Sequence, residues 1–183
     1  MATREEYRAQ PVEQRLRRLG RTPDELAGAI QGRADDALAR RPDERNWSAK
    51  EVICHLRDIE EQFILRFHMM LGTDEPTFLT LGDMPPHPER WGIGGRIGMP
   101  LDPARWAEDR QYRRQDTGLA LIALRARREE SLIFLRRLTA QQWQRASVHL
   151  LDGRMTFDDW VALIAEHDDE HLDQLRRALE GRA

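Results

Sequence analysis

Cysteine and lysine are almost absent from this chain. Cys54 is the single cysteine, so no disulfide can form within one chain. A lone thiol fits a reducing, cytoplasmic compartment. Lys50 is the single lysine, and every other basic residue is arginine. That bias is read as base composition of the coding sequence, not as function. Long apolar runs are missing too. The longest, Leu119 to Leu124, falls far short of the roughly 20 residues that span a bilayer, so no membrane partner is expected. Met1 to Arg8 is charged and lacks the apolar core of a signal peptide. Neither sign of charge dominates: the net charge is −3. No basic stripe stands out, and no nucleic-acid partner is expected. Internal repeats and low-complexity tracts are absent.

What is there is the composition of a globular domain. With 183 residues, 40% hydrophobic and 33% charged, the chain fits one domain with a core of its own. Residues 1–183 are expected to form a single domain with its core at about 22–180. Residues 1–21 are expected to be an N-terminal extension that packs a short helix outside the bundle.

Helical punctuation recurs along the chain. Thr22-Pro23-Asp24-Glu25 has the form of a helix start, with Thr22 as cap and Pro23 in the first turn, and predicts a helix to about Arg40. Ser48-Ala49-Lys50-Glu51 is a capping box. Behind it Val52, His55, Leu56, Ile59, Phe63, Phe67 and Met70 repeat with helical spacing, which predicts a helix over about 49–71. Residues 72–101 hold six glycines and five prolines and predict a long irregular connection. Such loops serve either as lids and site walls or as plain crossovers, and both readings stand. A short helical piece from Pro103 and a long helix over about 117–138 follow. Thr139 to Gln144 predicts one helical turn. Asp152-Gly153 is a tight turn that could join two short extended pieces. Thr156 caps a last helix, about 157–180, with acidic residues in its first turn and Gly181 as its stop. The fold class is therefore all-α, a four-helix bundle with a long loop between helices two and three.

Six histidines punctuate this pattern, and three fall on faces expected to be buried. On the last helix, Trp160, Ile164, His167, His171 and Leu175 share one face. His167 and His171 lie one turn apart, close enough for two imidazoles to grip one metal ion. His55 follows Val52 by three and precedes Ile59 by four, so it also faces the core. Buried imidazoles need partners for two polar nitrogens each, and a metal ion would satisfy one nitrogen of each. An H-x-x-x-H pair alone is a weak signal, and a lone core histidine is more often simply hydrogen-bonded. His68, His87 and His149 are read as structural. Asp58, three residues after His55, is a candidate catalytic base or metal-orienting carboxylate; its alternative is a solvated surface role. Arg125 and Arg128 could hold a substrate carboxylate. Cys54 is read as packing. Trp47, Trp143 and Trp160 are read as core aromatics, while Trp91 and Trp106 flank the long loop and could wall a pocket.

Two stretches carry a family resemblance. They are Asn46-Trp47-Ser48 through His55-Leu56-Arg57-Asp58, and Gly153 to Leu175 with His167-Asp168-x-x-His171-Leu172-x-Gln174. Asp74-Glu75-Pro76 and Trp91 add to the match. Over about residues 22–180 the chain resembles the DinB-like (YfiT-like) family of candidate metalloenzymes. The resemblance implies a four-helix bundle with a three-histidine metal site at His55, His167 and His171. It also implies a homodimer and a link to stress response. Imidazole ligands suit several divalent ions; zinc or nickel is expected first, iron or manganese next, with copper also compatible. Three ligands leave a coordination position for chemistry. The resemblance extends to thiol S-transferases, which predicts transfer of a low-molecular-weight thiol to an electrophilic small molecule. A metal-dependent hydrolase and a non-catalytic metal-binding stress protein are the alternatives.

Overall fold

The computed structural model describes residues 1–78, 103–149 and 152–183. Its first helices are α1 (Arg4–Arg8), α2 (Val12–Ile30) and α3 (Asp35–Leu38), followed by the long α4 (Ala49–Gly72). After these come α5 (Pro103–Asp109), α6 (Thr117–Arg136), α7 (Ala140–Trp143) and α8 (Phe157–Leu179). The long helices α2, α4, α6 and α8 form the four-helix bundle. Helix α2 packs on α6 and α8, and α4 packs on the same two, which sets α2 and α4 on opposite corners. Helices α4 and α6 run parallel, since Glu61 meets Arg127 and His68 meets Phe134 farther along both. A parallel neighbour requires a connection that travels the length of the bundle, and the chain between them is correspondingly long.

Local chemistry starts and stops these helices. Ser48 and Glu51 form the expected capping box on α4, and Thr156 with Asp159 forms another on α8. Asp116 accepts from the Leu119 backbone N–H and opens α6. Gly181, at φ +72°, ends α8 in the left-handed conformation that glycine adopts without strain. The core face of α4, which includes Val52, Leu56, Ile59, Phe63 and Phe67, is buried against Leu124, Leu135, Phe157, Trp160 and Ile164.

The first long helix differs from the sequence expectation. It starts at Val12, not at Thr22, and Pro23 sits inside it. Leu16, Leu19 and Leu26 continue one buried face across the proline. Burial of that face outweighs the cost of an interior proline, about 3 kcal/mol. Pro23 has no N–H to give the Leu19 carbonyl four residues earlier, and the Arg128 guanidinium takes that acceptor at 2.9 Å. Residues 12–21 thus belong to a bundle helix, and only α1 packs outside it. Helix α1 is pinned to α8 where the Arg4 backbone N–H donates to Glu166 and Tyr7 Oη donates to Asp169. The predicted continuation to Arg40 breaks at Gln31, and α3 is a separate short helix.

A small sheet also joins the bundle. Strand β1 (Thr77–Phe78) runs parallel to β2 (Ala146–His149), which pairs antiparallel with β3 (Gly153–Thr156). The β2–β3 pair is the extended pair flanking the Asp152-Gly153 turn. The pairing with β1 was not foreseen: two residues carry no period, and the partner lies some 70 positions away. The sheet covers one end of the core, where the Trp160 indole N–H donates to Ser147 Oγ at 2.8 Å. Most of the loop expected over 72–101, with His87 and Trp91, lies outside the described residues.

Candidate metal centre

His55 lies in the second turn of α4, and His167 and His171 occupy successive turns of α8. Because the two helices are neighbours, the three imidazoles converge. His55 Nε2 is 3.4 Å from His167 Nε2, and His171 Nε2 is 3.1 Å from His167 Nε2. One potential ligand atom from each residue falls within 4.8 Å of the others. Two nitrogens bound at about 2.0–2.1 Å to a tetrahedral ion sit about 3.3 Å apart, so the spacing fits one ion with little adjustment. The donor set, three imidazoles with no thiolate, suits zinc, nickel or iron.

The surroundings favour neutral imidazoles, the form that binds metal. Burial pushes the His55 pKa well below its ordinary value, and His171 adds to this. His167 is lowered in the same way by burial, then by His171, His55 and Arg128. Burial lowers His171 as well, against opposing contributions from Gln174 and Asp168. His171 Nδ1 donates to Gln174 Oε1 at 2.7 Å, which fixes its tautomer and leaves Nε2 as the lone-pair nitrogen. The buried Nδ1 atoms of His55 and His167 have no hydrogen-bond partner among the described residues.

Aromatic rings close the cluster on two sides. Trp47 lies 4.9 Å from the His55 ring and stacks at 6.3 Å on His171, with 18° between the planes. Phe63 meets the His167 ring edge-on at 6.1 Å. His167 and His171 keep part of their surface open, whereas His55 is buried.

With this geometry in view, similarity to known proteins becomes informative. A sequence profile of the DinB superfamily matches residues 18–175. The chain belongs to the DinB superfamily. A curated protein of Oceanobacillus iheyensis, named as a candidate metal-dependent hydrolase, is 23% identical over 168 residues, covering 92% of this chain and 81% of its own. The solved structure of YfiT from Bacillus subtilis superposes with a TM-score of 0.75 at 19% identity. It covers 100% of this chain and 92% of its own, and YfiT is described as a probable metal-dependent hydrolase with an unusual four-helix bundle topology.

The other candidates of this DinB-superfamily chain take different places. Asp58 is buried, not solvated, and its oxygens are already engaged. One accepts from Arg57 Nε at 2.7 Å; the other accepts from Tyr112 Oη at 2.7 Å and lies 3.2 Å from Arg110 Nη1. Arg125 is exposed and pairs with Asp24. Arg128 is buried, and both terminal nitrogens of its guanidinium are engaged: they grip both oxygens of Asp168, reach Glu60 Oε2 at 2.8 Å and donate to the Leu19 carbonyl, while Nε has no hydrogen-bond partner among the described residues. Neither arginine is placed to receive a substrate carboxylate. Burial disfavours the Arg128 charge, but Asp168 and Glu60 outweigh it and hold the group protonated. Cys54 is fully buried, and burial pushes its thiol up to about 11.

Two features escaped the sequence. Trp47 looked like a core aromatic because it precedes its helix and so falls outside any helical period. The Glu60–Arg128–Asp168 cluster draws on three helices, and Thr22 Oγ1 adds a 2.6 Å hydrogen bond to Asp168 from a fourth. A proline inside an apolar helical pattern was the available signal, since it marks a carbonyl that needs a donor from elsewhere. One guanidinium thereby ties the helix of His55, through Glu60, to the helix of His167 and His171, through Asp168.

Proposed function

We propose that this protein is a metal-dependent enzyme. It would hold one divalent ion through His55, His167 and His171 and transfer a low-molecular-weight thiol to an electrophilic small molecule. The observation that carries the metal reading is the convergence of the three Nε2 atoms, with His55 and His171 at 3.4 and 3.1 Å from His167, in a spacing that one ion can bridge. The ion, when bound, acidifies a water or thiol that joins it and stabilises developing negative charge. The protein supplies the rest. Three neutral imidazoles set the site, Gln174 orients His171, and Trp47 and Phe63 keep water from two of its sides. Zinc or nickel suits the donor set best, ahead of iron or manganese.

The choice of thiol rests on the proton inventory. Among the described residues no carboxylate joins the three histidines as a possible metal ligand, and Asp58 is engaged by Arg57, Tyr112 and Arg110. A thiol, with a pKa near 8.5, loses its proton to solvent readily near a dication and needs no base. Water is a far weaker acid and gains more from one. Asp58 keeps a place in this scheme as the group that fixes Arg57 and Tyr112 beside the His55 turn. Hydrolysis is the second reading, favoured by the descriptions of both relatives.

Metal content of the untagged protein, measured by plasma mass spectrometry, tests the site. About one ion per chain is expected, with loss in both His55→Ala and His167→Ala. Failure of the wild type to take up zinc or nickel after reconstitution overturns the metal reading. The loaded protein is then assayed with thiols plus electrophiles and, separately, with ester and amide substrates. Turnover of the second set alone replaces transfer with hydrolysis.

A further inference from the structure

Two stripes of side chains leave the metal centre together. On α4 a spacing of three and four carries His55 through Ile59 and Gln62 to Arg66. On α8 the same spacing carries His171 through His167 and Leu163 to Trp160. The two helices are antiparallel, since His55 meets His171 and Phe67 meets Phe157. The stripes therefore run side by side and end at one place. There the Arg66 guanidinium lies over the Trp160 ring at 5.2 Å and over the Phe78 ring of β1 at 5.5 Å. Gln62, Arg66, Leu163 and His167 are each half-buried, so the two helices alone do not close the seam between the stripes.

Arginine is a costly residue for this position. Packing against Trp160 and Phe78 would be served as well by leucine or methionine, with no charge to desolvate. Burial pushes the Arg66 pKa down to about 10, and the side chain still carries its charge near neutral pH. The two ring faces fix that charge in place and supply no oxygen acceptor. A guanidinium has five N–H donors, so it can hold a ligand oxygen beside the contacts it makes within the protein. Trp160 stands two turns from His167, about 10 Å along α8. Phe63 lies 6.1 Å from both the Trp160 and the His167 rings and floors the stretch between them. One end of the seam thus gathers three metal-binding nitrogens, and the other holds a fixed cation. Between them Ile59, Phe63 and Leu163 offer apolar surface and Gln62 one amide.

We propose that Arg66 is the specificity-determining residue of the metal site, and that it binds the carboxylate of an anionic small-molecule substrate whose reacting atom is about 10 Å away at the three histidines. The inference rests on the metal reading above and holds for either reaction. In thiol transfer the carboxylate is carried by the thiol, because the thiol is the partner that the ion ligates. In hydrolysis it is carried by the acyl chain whose carbonyl the ion polarises.

The test measures binding, not turnover, on the full-length chain loaded with cobalt(II), whose visible absorption reports a new ligand. The probe is suberic acid monohydroxamate, a metal-binding group and a carboxylate on a chain that spans about 10 Å. Its comparison is the same molecule with the carboxylate replaced by a carboxamide. The carboxylate form is expected to bind about 10-fold tighter or more. Succinic acid monohydroxamate, too short to reach Arg66, should show no such preference over its own carboxamide. Arg66→Met should abolish the preference while leaving the affinity for the suberic carboxamide unchanged, and Arg66→Lys should keep part of it. A purely structural Arg66 would not produce a preference that depends on chain length. Equal binding of the two suberic probes by the loaded wild type overturns the proposal, as does a preference that survives Arg66→Met, or a loaded protein that ligates neither probe. A chain that takes up no ion fails at the loading step, which sinks the metal reading itself and this proposal with it.

Discussion

Replacing Arg128 with methionine removes a charge from the centre of the bundle while nearly keeping the side-chain length. Three groups lose their partner together: Asp168, Glu60 and the Leu19 carbonyl. Asp168 and Glu60 are 0% and 1% exposed, so water cannot substitute. Breaking one side of a buried ion pair costs about 3–5 kcal/mol. The orphaned carbonyl alone would cost about 1–3 kcal/mol. The losses share one partner and do not add, so about 3–5 kcal/mol is the expected total. For a chain of this size each kcal/mol moves Tm by about 2–4 °C, which predicts a fall of roughly 6–20 °C. Circular dichroism melts of wild type and Arg128→Met measure it, on metal-stripped samples so that ion binding does not contribute. Adding Asp168→Asn to Arg128→Met removes one stranded charge and should recover part of the loss. A fall below about 2 °C, or a double variant less stable than the single, would refute the account of Arg128 as the tie between α4, α6 and α8.

Three further outcomes follow from the metal centre. Folding depresses the pKa values of His55, His167 and His171, so the unfolded chain takes up protons first as pH falls. Chelator-treated protein should hold its stability above about pH 6.5 and lose it progressively below, more steeply than chelator-treated His55→Leu; equal slopes would count against it. Gln174→Ala removes the acceptor on His171 Nδ1, and zinc affinity measured by competition with a chromophoric chelator should drop about 10–100-fold. Unchanged affinity would mean that Gln174 is incidental. Copper or nickel added to stripped protein should quench tryptophan emission through Trp47, which abuts two of the three rings. Trp47→Phe should lose most of that quench, and an undiminished quench would place the ion elsewhere.

Much of this molecule can be read from its residues, and the boundary of what can is physical. Capping boxes at Ser48 and Thr156 act within four residues, so sequence shows them directly. The pairing of His167 with His171 is likewise a matter of helical pitch. The Thr22-Pro23 start failed because the same residues that open an isolated helix also sit in the interior of α2 when its apolar face continues upstream through Leu16 and Leu19. Long-range pairs were out of reach: β1 with β2, Arg128 with Glu60 and Asp168, Trp47 with His171. Asp168 follows His167 directly, and its carboxylate turns away from the imidazoles to Thr22 and Arg128. What the sequence hid is that this other face is also interior, because α2 and α6 cover it.

Pro23 leaves free the carbonyl that Arg128 fills, and the consequence is epistatic. By helix propensity alone Pro23→Ala should be a gain. Here the restored N–H would compete with Arg128 for the Leu19 carbonyl, so the gain should shrink in the presence of the arginine and reappear when the arginine is gone. The two positions, 105 apart in sequence, are therefore expected to change together or not at all, and a double-mutant cycle over Pro23→Ala and Arg128→Met would measure how tightly a break in one helix is bound to the charge that fills it.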